Sequence, residues 1–124
     1  GIRGMSLNDG CGLSRYNICT PRQLCQVLTY MRMKSQYYEA FNQSLTMCGG
    51  LGTMGNMCLN TRAQNNARGK SGTIRRVKSY SGYVKSRSGR ELAFSIIINN
   101  FTSSSNDTRR MMEKFIVGLA DYNN

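Results

Sequence analysis

A short polar segment, Lys70-Ser71-Gly72-Thr73, lies where an irregular stretch gives way to strand-like sequence. The lysine supplies a positive charge, and the Ser71 and Thr73 hydroxyls can donate hydrogen bonds to a carboxylate. Because Gly72 has no side chain, the backbone of a ligand could lie close to the strand at that point. The segment therefore predicts a carboxylate-binding strand edge; the alternative is a solvated lysine followed by a Ser-Gly turn.

The absence of histidine and the spacing of the cysteines and glutamates argue against several kinds of functional site. The chain contains no histidine, which excludes a serine–histidine triad and a zinc site of the usual Cys/His kind within it. The five cysteines form no Cys-x-x-Cys pair, and their odd number argues against a fully paired disulfide framework, so we expect buried free thiols. The glutamates at 39, 91 and 113 are scattered and predict no carboxylate pair for acid–base catalysis.

The net charge of +11 indicates a surface that attracts anions such as nucleic acid, anionic lipid or acidic cell-wall polymer. The basic residues are spread out, however, and form no run typical of a basic tail, so a solvated surface is the favoured interpretation. The tyrosines are also scattered, and no zinc finger is visible, which leaves a nucleic-acid-binding module as a weaker alternative. No segment is apolar for long enough to predict a transmembrane helix.

The 124 residues correspond to one domain or part of one, and the chain opens with Gly1 rather than Met. We therefore expect a piece of a longer protein whose targeting segment is not visible here. Thr20, Pro21 and Gln23 predict the capped start of a helix over 21–33. Ser35 is predicted to cap a second short helix.

The second half of the chain predicts strands and a final helix. A long loop over 46–66 precedes strands at 67–75, 77–86 and 91–99, with Gly89 in a turn that suits a positive φ. The last strand, with its apolar run AFSIII, is predicted to be central and buried on both faces. Asn106 is predicted to cap a helix over 107–121 whose buried stripe consists of Met111, Met112, Phe115, Ile116 and Leu119. This order predicts an α+β fold in which helices pack on an antiparallel sheet.

Three motifs in one order resemble a known family. The segments NDGCGLSRYNICTPRQL (8–24), GKSGT (69–73) and SGYVKSRSGRELAFSIIINNF (81–101) resemble the C-terminal part of D-Ala-D-Ala carboxypeptidases of the penicillin-binding protein 4 type, peptidase family S13. Two positions differ from the family pattern. Lys70-Ser71-Gly72 stands in place of Lys-Thr-Gly, which keeps the hydroxyl. Cys11 stands in place of a serine, which loses a good hydrogen-bond donor.

The resemblance implies the C-terminal portion of a penicillin-binding, β-lactamase-like transpeptidase domain. Residues 1–124 would be a partial domain that lacks the upstream segment with the nucleophile, because no Ser-x-x-Lys occurs in them. The complete protein would be a serine-type D-Ala-D-Ala carboxypeptidase/endopeptidase acting on peptidoglycan stem peptides, and this chain alone would be inactive. The alternative within this family is a catalytically inactive peptidoglycan-binding domain.

The resemblance also implies roles for individual residues. Lys70 would be catalytic, and the backbone N–H of Thr73 would donate to the oxyanion. Ser71, Gly72, Thr73 and Arg15 would contact the substrate, with Arg15 beside the carboxylate of the stem peptide's diamino acid. No metal or organic cofactor is implied. The expected partners are the stem peptide, β-lactams, the missing N-terminal segment of the protein and, through exposed apolar surface, a second copy; the expected location is the cell envelope, in the periplasm.

Overall fold

The computed structural model describes residues 2–124. In chain order, the elements are α1 (Pro21–Lys34), α2 (Tyr38–Ser44), β1 (Thr46–Met47), β2 (Arg68–Ile74), β3 (Val77–Lys85), β4 (Glu91–Asn99) and α3 (Ser105–Asp121). The strands form one sheet in the order β1-β2-β3-β4, and every neighbouring pair is antiparallel. The predicted α+β class is therefore confirmed. None of the helices in the described chain has both the length and the hydrophobicity that a bilayer span requires.

Strand β3 is covered by a helix on each face of the sheet. Because side chains alternate along a strand, Tyr83 faces the α1 side, where its hydroxyl donates a 2.7 Å hydrogen bond to the carbonyl of Leu28. Tyr80 and Val84 face the other side and belong to the main core together with Met112 and Ile116 of α3. Burial raises the pKa of Tyr83 to about 12, so its phenol remains a donor near neutral pH.

The start of α1 follows the sequence prediction. Thr20 accepts from the N–H of Gln23, the Gln23 side chain accepts from the N–H of Thr20, and Pro21 occupies the first turn. The predicted Ser35 cap of α2 is wrong. Ser35 ends α1, and Tyr37 precedes α2 without a side-chain cap, because the Ser35 hydroxyl accepts from the Tyr37 N–H in the turn between the helices.

The prediction that β4 is a central strand, buried on both faces, is wrong for this chain. β4 ends the sheet order and pairs with β3 on one side; among its side chains, Phe94 is buried, while Leu92 and the three isoleucines are half-buried. Helix α1 packs on β4 as well as on β3, whereas α3 lies mainly over β3 and covers β4 only in part. An apolar run predicts that a strand is covered on the faces of the sheet, but it does not predict whether the strand is central or at the edge.

Helix α3 is turned relative to its predicted orientation. Ser104, rather than Asn106, is the N-cap and accepts from the N–H of Asp107 at 3.0 Å. The buried positions repeat every fourth residue and are Thr108, Met112, Ile116 and Ala120. Two residues of the predicted stripe, Met111 and Phe115, are 52% and 42% exposed.

The segment between β1 and β2 is a compact series of turns that contributes to the main core. Its buried residues are Cys48, Met54, Met57, Cys58, Ala63 and Ala67, each fully enclosed. The prediction of a long loop over 46–66 is correct apart from the two residues of β1. The loop packs against β3 and α3 and so supports β2 from one face of the sheet.

Strands β2 and β3 approach each other most closely at Gly82. A Cβ atom at this position would lie 1.9 Å from the Arg68 carbonyl oxygen and 2.6 Å from the Gly69 Cα atom. Both contacts are with backbone, which cannot rotate away. The approach therefore requires a residue without a side chain and fixes the register in which Gly69 pairs with Gly82.

Replacing Gly82 by Ala in the complete protein should lower the free energy of unfolding by about 2 kcal/mol or more, because the added methyl group forces the two strands apart. Gly118 on the exposed side of α3 serves as the matched control, because a Cβ atom there would have no neighbour within 4 Å. Gly118→Ala should leave the stability unchanged or raise it by about 0.5–1 kcal/mol. Urea unfolding measures both; equal stabilities of the two variants would contradict the close approach.

Candidate functional site

The outer edge of β2 is open along the Lys-Ser-Gly segment. Strand β1 pairs with β2 at two positions, Thr46 with Gly69 and Met47 with Arg68. From Lys70 to Ile74, the outer edge has no strand partner within residues 2–124. An open edge of this kind can accept an extended peptide as an additional strand.

The register of the hairpin determines which peptide groups face the open edge. A two-residue turn joins Ile74 to Val77, so these residues exchange both hydrogen bonds of their pair. Such bonds alternate along an antiparallel ladder, and the next pair, Thr73 with Lys78, exchanges none. The N–H and carbonyl of Thr73 therefore point outward, and the same alternation turns the carbonyl of Ser71 outward.

The Lys70 ammonium lies at this open edge. Lys70 is exposed, and its Nζ donates a 2.8 Å hydrogen bond to the outward-facing carbonyl oxygen of Ser71. The side chains of Lys70 and Gly72 belong to the α1 face of the sheet, whereas those of Ser71 and Thr73 belong to the α3 face. The structure thus brings the four predicted residues together along one edge, but it divides their side chains between two faces.

The Ser71 hydroxyl is held by the loop that precedes β2. It donates a 2.9 Å hydrogen bond to Thr53 Oγ1, which lies 3.4 Å from Thr46 Oγ1. The Thr46 hydroxyl in turn donates to the Gly69 carbonyl at 2.9 Å. Sequence reasoning missed Thr53 because no local pattern marks a contact across an irregular loop of this length.

A cavity of about 600 Å³ adjoins the same strand on the α1 face. Gly72, Thr73 and Ile74 line one side of it, and residues of the 12–24 segment line another. A Cβ atom on Gly72 would lie 2.6 Å from the Ser79 hydroxyl oxygen, so the space beside this glycine is already occupied by its β3 neighbour. Glycine at this position is therefore required for the packing of β2 against β3, and it also leaves room for a ligand backbone.

The turn over residues 8–17 is organised around the carboxylate of Asp9. This carboxylate accepts from the N–H groups of Gly12 and Ser14 at 2.9 and 2.8 Å and from the Asn17 side chain at 2.8 Å. These bonds, the one from Asn17 first, lower the pKa of Asp9 from 3.8 to about 2. The Cys11 thiol also donates to Asp9 at 3.4 Å, so the cysteine supplies a further, weak donor to this carboxylate.

Arg15 projects from this turn into solvent. The turn borders the cavity beside β2 through Gly12 and Asn17, but the Arg15 side chain is exposed and makes no hydrogen bond to β2 in the part of the chain described. The structure therefore places the Arg15 segment near the Lys70–Thr73 edge without joining the two. The role of Arg15 remains a prediction.

The sequence of the chain matches a described family over almost its entire length. Residues 1–122 match the D-Ala-D-Ala carboxypeptidase 3 (S13) family. The D-alanyl-D-alanine carboxypeptidase of Actinomadura sp. (strain R39) is 32% identical over 96% of this chain. The carboxypeptidase DacB of Mycolicibacterium smegmatis is 34% identical over 78% of it. In each case the chain spans 22% of the relative's own length.

Solved structures share the fold. Penicillin binding protein 4 (dacB) from Haemophilus influenzae superposes with a TM-score of 0.81 and 23% identity, over 97% of this chain and 28% of that protein. The same protein complexed with a β-lactam superposes with a TM-score of 0.79 over 94% of this chain and 28% of that protein, again at 23% identity. The sheet and helices are thus the fold of one portion of that larger protein.

The low pKa of Asp9 can be tested by removing its main partner. Because the folded pKa lies below the ordinary value, the contribution of the carboxylate to the turn is present above pH 4 or so and is lost as the pH falls through about 2. Asn17→Ala should raise the pKa of Asp9 towards 3.8, whereas Asn56→Ala, an exposed change outside the turn, should not. A ¹³C carboxyl titration of aspartate-labelled protein measures this, and an unmoved Asp9 pKa in Asn17→Ala would refute the arrangement.

Proposed function

The chain belongs to the D-Ala-D-Ala carboxypeptidase 3 (S13) family, and we propose that the complete protein is a serine-type D-Ala-D-Ala carboxypeptidase acting on peptidoglycan stem peptides. The observation that carries the proposal is the open edge of β2, where the Lys70 ammonium lies along the same edge as the outward N–H of Thr73. Residues 1–124 contain no Ser-x-x-Lys, so the nucleophilic serine belongs to another part of the complete protein. This chain contributes one wall of the site and is inactive alone.

In the proposed complex, the stem peptide lies along β2 as an added strand. Its scissile carbonyl accepts from the Thr73 N–H, which is free because β3 does not use it. As the serine attacks, negative charge develops on that oxygen, and one such donor typically lowers the barrier by ~2.7–4 kcal/mol. D-Ala then leaves, and water hydrolyses the acyl-enzyme.

Lys70 supplies positive charge at the point where the peptide ends in a free carboxylate. Its Nζ is bonded to a carbonyl of its own strand, a neutral acceptor that a carboxylate can replace with a gain in electrostatic energy. By the family pattern, the same ammonium also supports the proton relay from the nucleophile. Gly72 leaves the strand without a side chain beside the substrate backbone.

The hydroxyls of Ser71 and Thr73 complete the carboxylate contact. The Ser71 side chain is positioned by its 2.9 Å contact with Thr53; when a carboxylate binds, the Ser71 O–H turns to donate to it, and the Thr53 hydroxyl can donate to Ser71 Oγ in exchange. Thr73 is exposed on the same face of the strand. Serine at position 71 retains the hydroxyl that the family's threonine provides.

Arg15 is proposed to contact the acidic side chain of the stem peptide. Its guanidinium is exposed on a turn that borders the cavity beside Gly72 and Thr73. A planar guanidinium can bind a carboxylate through two parallel hydrogen bonds. The turn is held by Asp9, so the carboxylate of Asp9 orients this contact rather than taking part in the reaction.

The proposed activity implies a cellular location and further ligands for the complete protein. Peptidoglycan places the enzyme in the cell envelope, on the periplasmic side, where the net charge of +11 attracts acidic wall polymers. An endopeptidase activity on cross-linked peptides would use the same wall of the site. β-Lactams are proposed to acylate the same serine, which the β-lactam complex of the Haemophilus influenzae protein supports by analogy of fold.

Lys70→Ala in the complete protein should cut acylation by a fluorescent penicillin and turnover of a D-Ala-D-Ala peptide by at least ~100-fold, the scale of a lost charged transition-state contact. Its melting temperature should scarcely change, because exposed substitutions usually alter stability by less than ~0.5 kcal/mol. Lys85→Ala, another exposed lysine of the same sheet, is the matched control and should keep full activity.

The variants of Ser71 refine the same test. Ser71→Thr should be nearly silent because the hydroxyl remains, and Ser71→Ala should weaken peptide binding less than Lys70→Ala does. Full activity of folded Lys70→Ala would refute the assignment of the carboxylate site. Peptide binding without turnover in the wild-type protein would instead indicate the inactive peptidoglycan-binding domain.

A further inference from the structure

Two cysteines lie side by side in the core beneath the site. The sulfur atoms of Cys48 and Cys58 are 3.2 Å apart, and neither residue has any exposed surface. A disulfide has a sulfur–sulfur distance of about 2.05 Å, so the two sulfur atoms have to approach each other by only about 1 Å to form one.

The backbone on both sides of this pair is fixed. The N–H of Cys48 donates to the Ala67 carbonyl at 2.9 Å, and its carbonyl accepts from the N–H of Asn65 at 2.9 Å. The N–H of Cys58 donates to the Glu113 carboxylate on α3. The backbone that carries the two sulfur atoms is therefore held in place at both cysteines.

We propose that Cys48 and Cys58 are joined by a disulfide in the mature protein, and that this bond closes the loop that carries Thr53 to Ser71. The two cysteines are ten positions apart in the sequence. Thr53 lies midway along it and makes the 2.9 Å contact with the Ser71 hydroxyl. Met54, the next residue, packs against Gly69 at the start of the Lys-Ser-Gly segment.

A disulfide would stabilise this loop because the loop is rich in glycine. Gly49 and Gly52 have positive φ angles, and a Cβ atom on Gly55 would lie 2.3 Å from the Gly50 carbonyl oxygen. Glycine-rich segments lose more backbone entropy on folding than others do. A disulfide removes part of that freedom from the unfolded chain and so reduces the loss.

The bond forms by thiol–disulfide exchange with a disulfide oxidant, such as oxidised glutathione or a protein dithiol oxidase. The thiolate of one cysteine attacks the oxidant disulfide, releases one oxidant thiol and forms a mixed disulfide; the second cysteine then attacks that bond and releases the other thiol. Two electrons and two protons pass to the oxidant, whose disulfide is reduced to two thiols. Because both sulfur atoms are enclosed, the exchange takes place before the loop packs.

The hydrogen bond between the thiols distinguishes the two partners. It lowers the pKa of Cys48 and raises that of Cys58, while burial raises both. The other three cysteines serve as internal controls, since Cys11 is exposed and Cys19 and Cys25 are half-buried without a sulfur partner in residues 2–124.

The sequence allows a direct test by peptide mapping. No Lys or Arg occurs between Lys34 and Arg62, so trypsin releases Cys48 and Cys58 in one peptide, 35–62, and each remaining cysteine in a different peptide. The complete protein is folded in a glutathione redox buffer, denatured, alkylated with iodoacetamide and digested. We expect the 35–62 peptide to be lighter by two hydrogen atoms and unalkylated, with the other three cysteines alkylated. Alkylation of both cysteines in 35–62, or a bond from either to another cysteine, would overturn the proposal.

A thermal measurement tests the structural role of the bond. Wild-type protein folded with oxidant should melt about 5 °C or more above the same protein folded with reductant, because the closed loop restricts the unfolded chain. Cys11→Ser should show the same difference, and Cys48→Ala/Cys58→Ala should show none. Equal melting temperatures of oxidised and reduced wild type would overturn the role of the bond as a staple, and this result would not depend on the catalytic proposal.

Discussion

The close approach of β2 and β3 at Gly82 determines the rest of the site. A side chain there would collide with the backbone of Arg68 and Gly69. The two strands can therefore lie this close only in the observed register, which places Gly82 opposite Gly69. A slip of one residue would exchange the inward and outward peptide groups of β2 and reverse its faces. The contact between Gly69 and Gly82 therefore determines two features of the open edge. It turns the N–H of Thr73 outward, and it turns outward the Ser71 carbonyl that accepts from Lys70.

The two faces and the outer edge of strand β2 have different surroundings. On one face, Ser71 meets Thr53 of the 48–58 loop, which is anchored in the main core through its cysteines and methionines. On the other face, Gly72 borders a cavity that is lined in part by the segment that carries Arg15 and Cys11. The edge between them stays free for a ligand. The contact with Thr53 positions the Ser71 side chain before a ligand arrives, which reduces the entropy lost on binding.

The sequence predicts the elements better than their arrangement. Local rules place the start of α1 at the Thr20 capping box, the turn at Gly89 and the three long strands to within one residue or so, because the relevant contacts lie within a few residues. The edge position of β4 and the buried face of α3 depend on which elements pack together, and no local pattern encodes that. The four residues of the β2 segment are identifiable because they are consecutive. The support from Thr53 and the pairing of Cys48 with Cys58 cross an irregular loop without a repeating pattern.

The central claim is that the open edge of β2 receives the substrate backbone. It is tested most directly by a crystal structure of the complete protein acylated by a β-lactam. We predict that the acyl carbonyl oxygen lies within hydrogen-bonding distance of the Thr73 N–H, and that the ligand carboxylate lies beside Lys70 and the hydroxyls of Ser71 and Thr73. An acyl group whose carbonyl oxygen is bound elsewhere, with the edge from Lys70 to Ile74 left empty, would contradict the account.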